Sequence, residues 1–202
     1  MKPLFITGIG TDIGKTVVSA ILVEKLKADY WKPIQSGDLE NSDTHKVKKL
    51  IVNTTSVFHT ESYRLTQPFS PHKSANLDGI KIDLKTITIP KTSNTLIIEG
   101  AGGLMVPLND KEYIIDLIQL LNAEVILVVR NYLGSINHTL LSLESLKHRN
   151  IPIKGIIFNG ESDSYSEEAI QRFSNVKILG YIPFIEKLDS NGITESGTQL
   201  DI

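Results

Sequence analysis

Four short runs of apolar residues constrain the fold of this chain more than any other feature of its sequence. They cover residues 3–7, 95–99, 125–129 and 155–159, and each is close to continuously apolar. Such strands are typical of a parallel sheet that is covered on both faces, whereas a half-exposed strand alternates between apolar and polar residues. Residues 28–32 and 176–182 are weaker strand candidates. The sequence therefore predicts a buried, mostly parallel sheet.

Helical segments lie between these runs. Residues 15–28, 113–122 and 136–149 carry apolar side chains at the spacing of one helix face. Alternating strands and helices imply right-handed crossovers. We therefore predict an α/β fold in one domain over residues 1–202, with a mostly parallel central sheet and helices on both faces. Ligands of such sheets bind beyond the carboxyl ends of the strands, so functional residues are expected there.

Composition excludes several classes of function. The 21 basic and 23 acidic residues give a net charge of −2, which argues against a nucleic-acid partner. The chain contains no cysteine, so disulfides, thiolate catalysis and cysteine-based zinc sites are excluded. No apolar leader and no apolar run of about 18 residues is present. We therefore expect a cytoplasmic protein without a membrane partner.

A glycine-rich loop follows the first apolar run and precedes the first helical segment. Residues 8–16 read GIGTDIGKT, and we call them the phosphate loop. Glycines let backbone N–H groups turn toward an anion, and the helix N-terminus adds donors. Lys15 would reach terminal phosphates, and the Thr16 hydroxyl would bind Mg²⁺. Five residues rather than the usual four separate Gly8 from Gly14. A chance glycine turn is the alternative, but the strand and the helix around it favour a P-loop NTPase-like fold.

Three charged residues follow other predicted strands or open a helix. Lys32 would stabilise negative charge during phosphoryl transfer, although a solvated surface lysine is the alternative. Asp43 lies at a helix start, where Ser42 or Asp43 would serve as the N-cap. Glu99 closes an apolar run and precedes glycines, so a metal ligand is favoured over a plain turn. With Thr16, these two carboxylates would supply three oxygen ligands for Mg²⁺.

Two further segments follow strands. Residues 132–139 open a helix, with Ser135 or Asn137 as the expected cap, and its free N–H groups would suit a carboxylate or a phosphate. Asn159 closes another strand and would hydrogen-bond a base edge with both its donor and its acceptor. Because Gly160 follows it, a plain Asn-Gly turn is the alternative.

Taken together and in this order, these residues resemble the dethiobiotin synthetase family from Gly8 to about Glu186. No single motif is specific, but their ordered set is. The marks are the loop of residues 8–16, Lys32-Pro33 with Ser36-Gly37, residues 41–43, 70–72 and 99–103, Leu133-Gly134 with residues 136–138, and Ile182-Pro183.

The resemblance implies an ATP-dependent ligase that forms C–N bonds. Such an enzyme uses CO₂ and ATP to close a ureido ring on 7,8-diaminononanoate, the penultimate step of biotin biosynthesis, through a carbamate and a carbamic–phosphoric anhydride. ATP is then a co-substrate and Mg²⁺ a cofactor. The family is usually a homodimer, in which the turn from Leu133 to Asn137 of the neighbouring subunit holds the carboxylate of the substrate.

The resemblance also assigns roles to residues at matching positions. Lys15, Lys32 and Thr11 are expected to be catalytic. Ser36, Leu133, Gly134 and Asn137 are expected to bind the diamine. Thr16, Asp43 and Glu99 are expected to hold Mg²⁺. The expected nucleotide-binding residues are Asp12, Ile13, Gly14, Lys15, Thr16, Val17, Asp43, Glu99, Gly100, Ala101, Gly102, Asn159, Gly160, Pro183, Phe184, Ile185 and Glu186.

Two residues and two segments depart from the family pattern. Asp12 stands where relatives often carry glutamate, and Gly160 stands where a polar residue is frequent. Residues 81–94 are short and rich in Thr and Lys, so a helix expected there would be reduced to a turn or two. The polar tail, residues 189–202, is expected to be loosely held.

Two other functions compete with this one. The first is a partition-type nucleotide-switch ATPase that acts through a partner or a surface. Those ATPases carry an early lysine in the loop, where this chain has Ile9-Gly10, and residues 188–202 contain no Lys or Arg that would form a basic membrane helix. The second is a related synthetase that activates a different acid or carbamate.

Overall fold

The structure is a computed structural model that describes residues 2–202, so Met1, the first residue of the predicted domain, lies outside it. The strands are β1 (Leu4–Gly8), β2 (Asp29–Trp31), β3 (Ile34–Ser36), β4 (Phe58–His59), β5 (Tyr63–Leu65), β6 (Leu96–Gly103), β7 (Glu124–Val129), β8 (Ile153–Asn159) and β9 (Ile178–Ile182). The helices are α1 (Lys15–Leu26), α2 (Asp43–Leu50), α3 (Pro71–Leu77), α4 (Ile114–Leu120), α5 (Ser135–His148), α6 (Ser164–Ser174) and α7 (Ser190–Gly197).

A seven-stranded parallel sheet forms the centre of the fold, in the strand order β4-β2-β6-β1-β7-β8-β9. Strands β3 and β5 form a separate parallel pair. Because β1 lies in the middle of the large sheet, the phosphate loop leaves from its centre. The predicted parallel sheet is confirmed.

Both faces of the sheet are buried, because successive side chains of a strand point to opposite faces. In β1, Ile6 packs with the apolar face of α1 and with Ile193 of α7. Its neighbour Phe5 packs on the opposite face with apolar residues of α4. A third apolar cluster joins β7 and β8 to α5 and α6. The predicted layers of helices on both faces are therefore present.

Element bounds differ from the sequence prediction at several ends. The first helix ends at Leu26 because Lys27 adopts a left-handed conformation with φ of 49°. The N-cap of α5 is Gly134, so the prediction that Ser135 or Asn137 caps this helix is wrong. The short strands β3, β4 and β5 and the helices α3, α6 and α7 lie outside the segments for which the sequence predicts an element. Between residues 81 and 94 only a 3₁₀ turn, Leu84–Thr86, forms.

The C-terminal tail is held to the core, contrary to the sequence expectation. Helix α7 packs against α1, and the side chain of Ile193 is fully buried. Lys25 donates a 2.9 Å hydrogen bond from Nζ to the carbonyl of Gly197. After the helix, Leu200 pairs with Gly180 of β9 and the N–H of Asp201 donates to the carbonyl of Leu179 at 2.7 Å. Although the tail is mostly polar, its apolar side chains Ile193 and Leu200 are buried in the core.

We predict that Ile193→Ala lowers the free energy of unfolding by about 2–5 kcal/mol, because it opens a cavity in the contact between α7 and α1. Urea unfolding followed by circular dichroism measures the change. Leu188→Ala is the matched control, since Leu188 is 50% exposed and should lose less than about 1 kcal/mol. Equal losses in the two variants would contradict a docked tail.

Candidate active site

A cavity of about 670 Å³ lies where the segments after β1 and β2 meet the second half of β6. Most of the predicted site residues line it. They are Thr11, Asp12, Gly14, Lys15, Thr16, Val17, Lys32, Ser36, Asp43, Glu99, Gly100, Ala101 and Gly102. Residues separated by up to 91 positions in sequence (11 to 102) thus share one cavity, as expected at the carboxyl ends of parallel strands.

The phosphate loop is braced by the neighbouring strands. Gly14 caps α1 in a left-handed conformation with φ of 92°, and a Cβ there would lie 2.1 Å from Nδ2 of Asn159. Only glycine fits this position. Asn159 at the end of β8 donates from Nδ2 to the carbonyl of Ile13 at 2.9 Å. Arg130, directly after β7, donates to the carbonyl of Asp12 at 3.4 Å. The loop conformation is therefore set before any ligand arrives.

Lys15 begins α1 and is nearly buried in the cavity wall. Its ammonium donates to the carbonyl of Gly10 at 2.9 Å, so the side chain folds back over the phosphate loop. Burial lowers the pKa of Lys15 to about 8, although the nearby Glu99 carboxylate opposes the shift. No carboxylate in residues 2–202 lies within ion-pair distance of this ammonium. An anion bound in the cavity would supply that partner and so stabilise the charged form of Lys15.

Lys32 is buried between two carboxylates. Only 4% of the residue is exposed, and its Nζ lies 2.5 Å from Oδ2 of Asp43 and 3.0 Å from Oε1 of Glu99. Burial by itself would lower the pKa of Lys32, but the charges of Glu99 and Asp43 outweigh burial and raise it. Lys32 therefore stays charged inside the protein, and the alternative of a solvated surface lysine is wrong.

Glu99 is the acceptor that joins the phosphate loop to β2. Its Oε1 accepts from Thr16 Oγ1 at 2.9 Å and from Lys32, and its Oε2 accepts from the hydroxyl of Tyr30 at 2.9 Å. Because β6 continues to Gly103, Glu99 lies within the strand rather than at its end, contrary to the sequence expectation.

Tyr30 is a site residue that sequence reasoning missed. It lies two residues before Lys32, and this spacing places two side chains on the same face of a strand. That periodicity was the available signal. Burial, followed by the charge of Glu99, raises the pKa of the Tyr30 hydroxyl well above its ordinary value. The hydroxyl therefore stays protonated and acts as a hydrogen-bond donor.

Asp43 faces the cavity from the first position of α2. The cap of this helix is Ser42, whose Oγ accepts from the N–H of His45 at 3.4 Å. The capping alternative for Asp43 is therefore wrong. Burial raises the pKa of Asp43, but the charges of Lys32 and Lys46 outweigh burial, and the net shift is downward. Asp43 remains a carboxylate.

The oxygen atoms expected to bind Mg²⁺ meet around Lys32. Thr16 contacts Glu99 directly, and Asp43 contacts the same ammonium as Glu99. Within residues 2–202 no cluster of three or more acidic or histidine side chains is arranged to hold a metal. One hydroxyl and two carboxylates nevertheless form a donor set that fits Mg²⁺, which takes few protein oxygens and completes its shell with phosphates and waters.

The opposite wall of the cavity carries a free hydroxyl and residues that sequence reasoning missed. Oγ of Ser36 is buried and has no hydrogen-bond partner in the described part of the chain. Gln35 holds this wall, since it donates to the carbonyl of Gly37 at 2.9 Å and accepts from the N–H of Asp43 at 3.3 Å.

Lys46 also lines the cavity and was missed. It lies one helical turn after Asp43, and that spacing was its sequence signal. Sequence reasoning also missed Ile34, Pro68, Phe69 and Val106, and it named Ser70 and Pro71 as part of a family mark without assigning them to the site.

The other predicted site residues lie outside this lining. Ile13 belongs to the phosphate loop, but its side chain is buried in the apolar core. Asn159 ends β8 beside that loop, Gly160 follows it, and residues 183–186 follow β9. Residues 133–137 span the end of a turn and the start of α5, where Leu133 is fully exposed and Ser135 is buried. The roles assigned to these residues stay predictions.

Sequence similarity to known proteins shows the family to which the chain belongs. A family model described as an AAA domain matches residues 2–191. A relative from Christiangramia forsetii is 58% identical over 93% of this chain and 91% of its own length, and one from Cytophaga hutchinsonii is 49% identical over 99% and 97%. Both are named ATP-dependent dethiobiotin synthetase BioD, as is a relative from Brucella ovis at 46% identity. This chain is a member of the dethiobiotin synthetase family.

Solved structures confirm the P-loop NTPase-like fold. A ParA family ATPase from Chlorobium tepidum superposes with a TM-score of 0.60 and 15% identity, covering 99% of this chain and 100% of that one. The cell division ATPase MinD from Pyrococcus furiosus gives 0.60 and 14%, covering 98% of each chain. At these identities the likeness extends to the fold alone. Between residues 2 and 202 no helix has both the length and the apolar character needed to cross a membrane.

The lowered pKa of Lys15 predicts a pH dependence of nucleotide binding. Because the free protein loses this positive charge as the pH rises through about 8, the affinity for ATP should fall between pH 7.5 and 9.5, by roughly tenfold per pH unit well above that pKa. Isothermal titration calorimetry measures it. In Lys15→Met, binding should be weaker and nearly independent of pH over this range. An equal pH dependence in both proteins would contradict the assignment to Lys15.

Proposed function

We propose that this chain is an ATP-dependent dethiobiotin synthetase that closes a ureido ring on 7,8-diaminononanoate. The main observation in support is the buried Lys32, held between Asp43 and Glu99 in the same cavity as the phosphate loop. The relatives that carry this name cover nearly the whole chain. The fold is shared with partition-type ATPases, but that likeness gives no support for a nucleotide switch beyond the fold.

The proposed reaction forms two C–N bonds and consumes one ATP. One amine nitrogen attacks CO₂ and loses a proton, which gives a carbamate. A carbamate oxygen attacks the γ-phosphorus of ATP, the bond to ADP breaks, and a carbamic–phosphoric anhydride forms. The second amine then attacks the carbonyl carbon and loses a proton, the bond to phosphate breaks, phosphate leaves, and the ring closes. No step requires a nucleophilic side chain, which agrees with a chain that lacks cysteine.

In this reaction Lys15 and Lys32 offset the repulsion between two anions. The carbamate and the triphosphate must approach each other, and fixed positive charges in a site that excludes water favour that approach. Lys32 is suited to the task because its ammonium is already positioned and remains charged. Thr11 is proposed to orient the reacting groups at the edge of the phosphate loop, and the free Oγ of Ser36 is proposed to hydrogen-bond the diamine.

Thr16, Asp43 and Glu99 are proposed to hold Mg²⁺ beside the phosphates. When bound, the ion neutralises part of the charge on the β- and γ-phosphate oxygens. Binding requires that Glu99 and Asp43 share their oxygen atoms between the ion and Lys32. The side chains of Thr16 and Tyr30, which both donate to Glu99, keep that carboxylate oriented toward the cavity.

We also propose that the nucleotide base lies near Asn159, Gly160 and residues 183–186. Nδ2 of Asn159 is committed to the carbonyl of Ile13, so its Oδ1 is the atom available to accept from a base amino group. This differs from the expectation that both the donor and the acceptor of Asn159 read the base.

Lys32→Met should reduce dethiobiotin formation by at least about 10²-fold, in keeping with the loss of one preorganised donor to a charged transition state. The assay incubates the protein with ATP, Mg²⁺, bicarbonate and 7,8-diaminononanoate and detects dethiobiotin by mass spectrometry. A wild-type protein that forms no dethiobiotin would refute the proposed function. A near-normal rate in Lys32→Met would refute only the role of Lys32.

A homodimer is the proposed assembly, with the turn of residues 133–137 reaching into the cavity of the neighbouring subunit. The turn opens α5, so its backbone N–H groups suit a carboxylate. Leu133 is fully exposed and the turn lies outside its own subunit's cavity, which supports a contribution to another copy.

Mixing two inactive variants tests this arrangement. Lys32→Met and Asn137→Asp should each be nearly inactive, the second because it sets a negative charge against the substrate carboxylate. After subunit exchange, half the dimers would carry one intact site, and the mixture should recover about a quarter of the wild-type rate. A mixture no more active than its components would contradict a shared site.

A further inference from the structure

Phe69 is an exposed aromatic residue in the active-site cavity that the proposed chemistry leaves unexplained. It lines the cavity and is 46% exposed. Every polar group needed at the reacting end comes from other segments. Large apolar side chains that line a ligand cavity normally contact an apolar part of the ligand.

The backbone beside Phe69 is fixed by several contacts. The N–H of Phe69 donates to the carbonyl of Gln67 at 3.0 Å and to Oγ of Ser74 at 3.2 Å. Ser74 is fully buried and donates in turn to the carbonyl of Gln67 at 2.7 Å. Pro68 packs on Gly37, where a Cβ would lie 2.7 Å from the proline ring. The segment is therefore tied to the wall that carries Ser36.

The aromatic ring is also held. Nζ of Lys73, in the first turn of α3, lies 3.7 Å from the centroid of the Phe69 ring, within the range of a cation–π interaction. Other apolar residues, Ile34, Pro71 and Val106, line the same cavity as Phe69. The lining thus includes apolar side chains as well as the charged groups around the phosphate loop.

We propose that Phe69 is a specificity-determining residue that packs on the methylene chain of the diamine substrate. This inference rests on the proposed function, which supplies a substrate with two amines at one end, a carboxylate at the other, and an apolar chain between them. The amines lie toward Lys32 and the phosphate loop, and the chain crosses the Phe69 wall on its way out of the cavity. Phe69 thereby selects long-chain vicinal diamines over short ones.

Measuring the binding of two ligands distinguishes a contact between Phe69 and the methylene chain from a general effect of Phe69 on the site. The ligands are 7,8-diaminononanoate and 2,3-diaminobutane, which keeps the two amines but lacks the carboxyl-bearing chain. Their dissociation constants are measured by titration calorimetry for wild type, Phe69→Ala and Phe69→Leu. Phe69→Ala should weaken binding of the long diamine roughly tenfold, as for a lost contact in an apolar pocket, and leave the short diamine unchanged. Phe69→Leu should lie between wild type and Phe69→Ala.

Phe173→Ala is the matched control. Phe173 is also exposed, with Arg172 over its ring at 5.5 Å, but lies outside the cavity, so neither constant should change. Unchanged affinity of Phe69→Ala for the long diamine, or an equal loss for both ligands, would overturn the inference. If either of these affinity results is found while wild type forms dethiobiotin in the mass-spectrometric assay, only the role of Phe69 is refuted. If wild type forms none, the proposed function and this inference fail together.

Discussion

The structure of the site depends on one buried positive charge. Lys32 is almost inaccessible to water, and a lone ammonium there would carry a large desolvation penalty. Asp43 and Glu99 offset that penalty, and each comes from a different element, α2 and β6. Glu99 in turn accepts hydrogen bonds from Thr16 of α1 and Tyr30 of β2. Removing Lys32 would leave both carboxylates in the interior without a compensating charge. The ion-pair cluster therefore orders the cavity in the absence of ligand.

The two lysines of the site differ in a way that suits different tasks. Lys32 has two carboxylates within ion-pair distance, so it is fixed and remains charged. Lys15 contacts a backbone carbonyl instead, and burial lowers its pKa to about 8. A side chain that is poorly compensated in the free protein gains more from an incoming anion than one that is already paired. An incoming anion would therefore stabilise the charge of Lys15 more than that of Lys32.

The sequence predicted the centre of the fold because its strands are continuously apolar, and such strands are rare outside a parallel sheet covered on both faces. It also located the phosphate loop, Lys32, Asp43 and Glu99, since each follows or closes such a strand or opens a helix. Strands β3, β4 and β5 span only two or three residues each, too few for a period to emerge. Pro68 and Phe69 were missed because a loop position depends on distant contacts, such as Pro68 on Gly37. Tail docking was missed for a similar reason, since Ile193 stands among polar residues.

The docked tail also protects the sheet. An open edge strand presents free N–H and C=O groups to other chains and invites intermolecular pairing. At one edge β4 is only two residues long, which limits such pairing. At the other edge β9 is longer, and Leu200 and Asp201 pair with it from the far end of the chain. The last residues of the sequence thus serve as a cover against self-association through the sheet, so C-terminal truncation would affect solubility before it affected the chemistry.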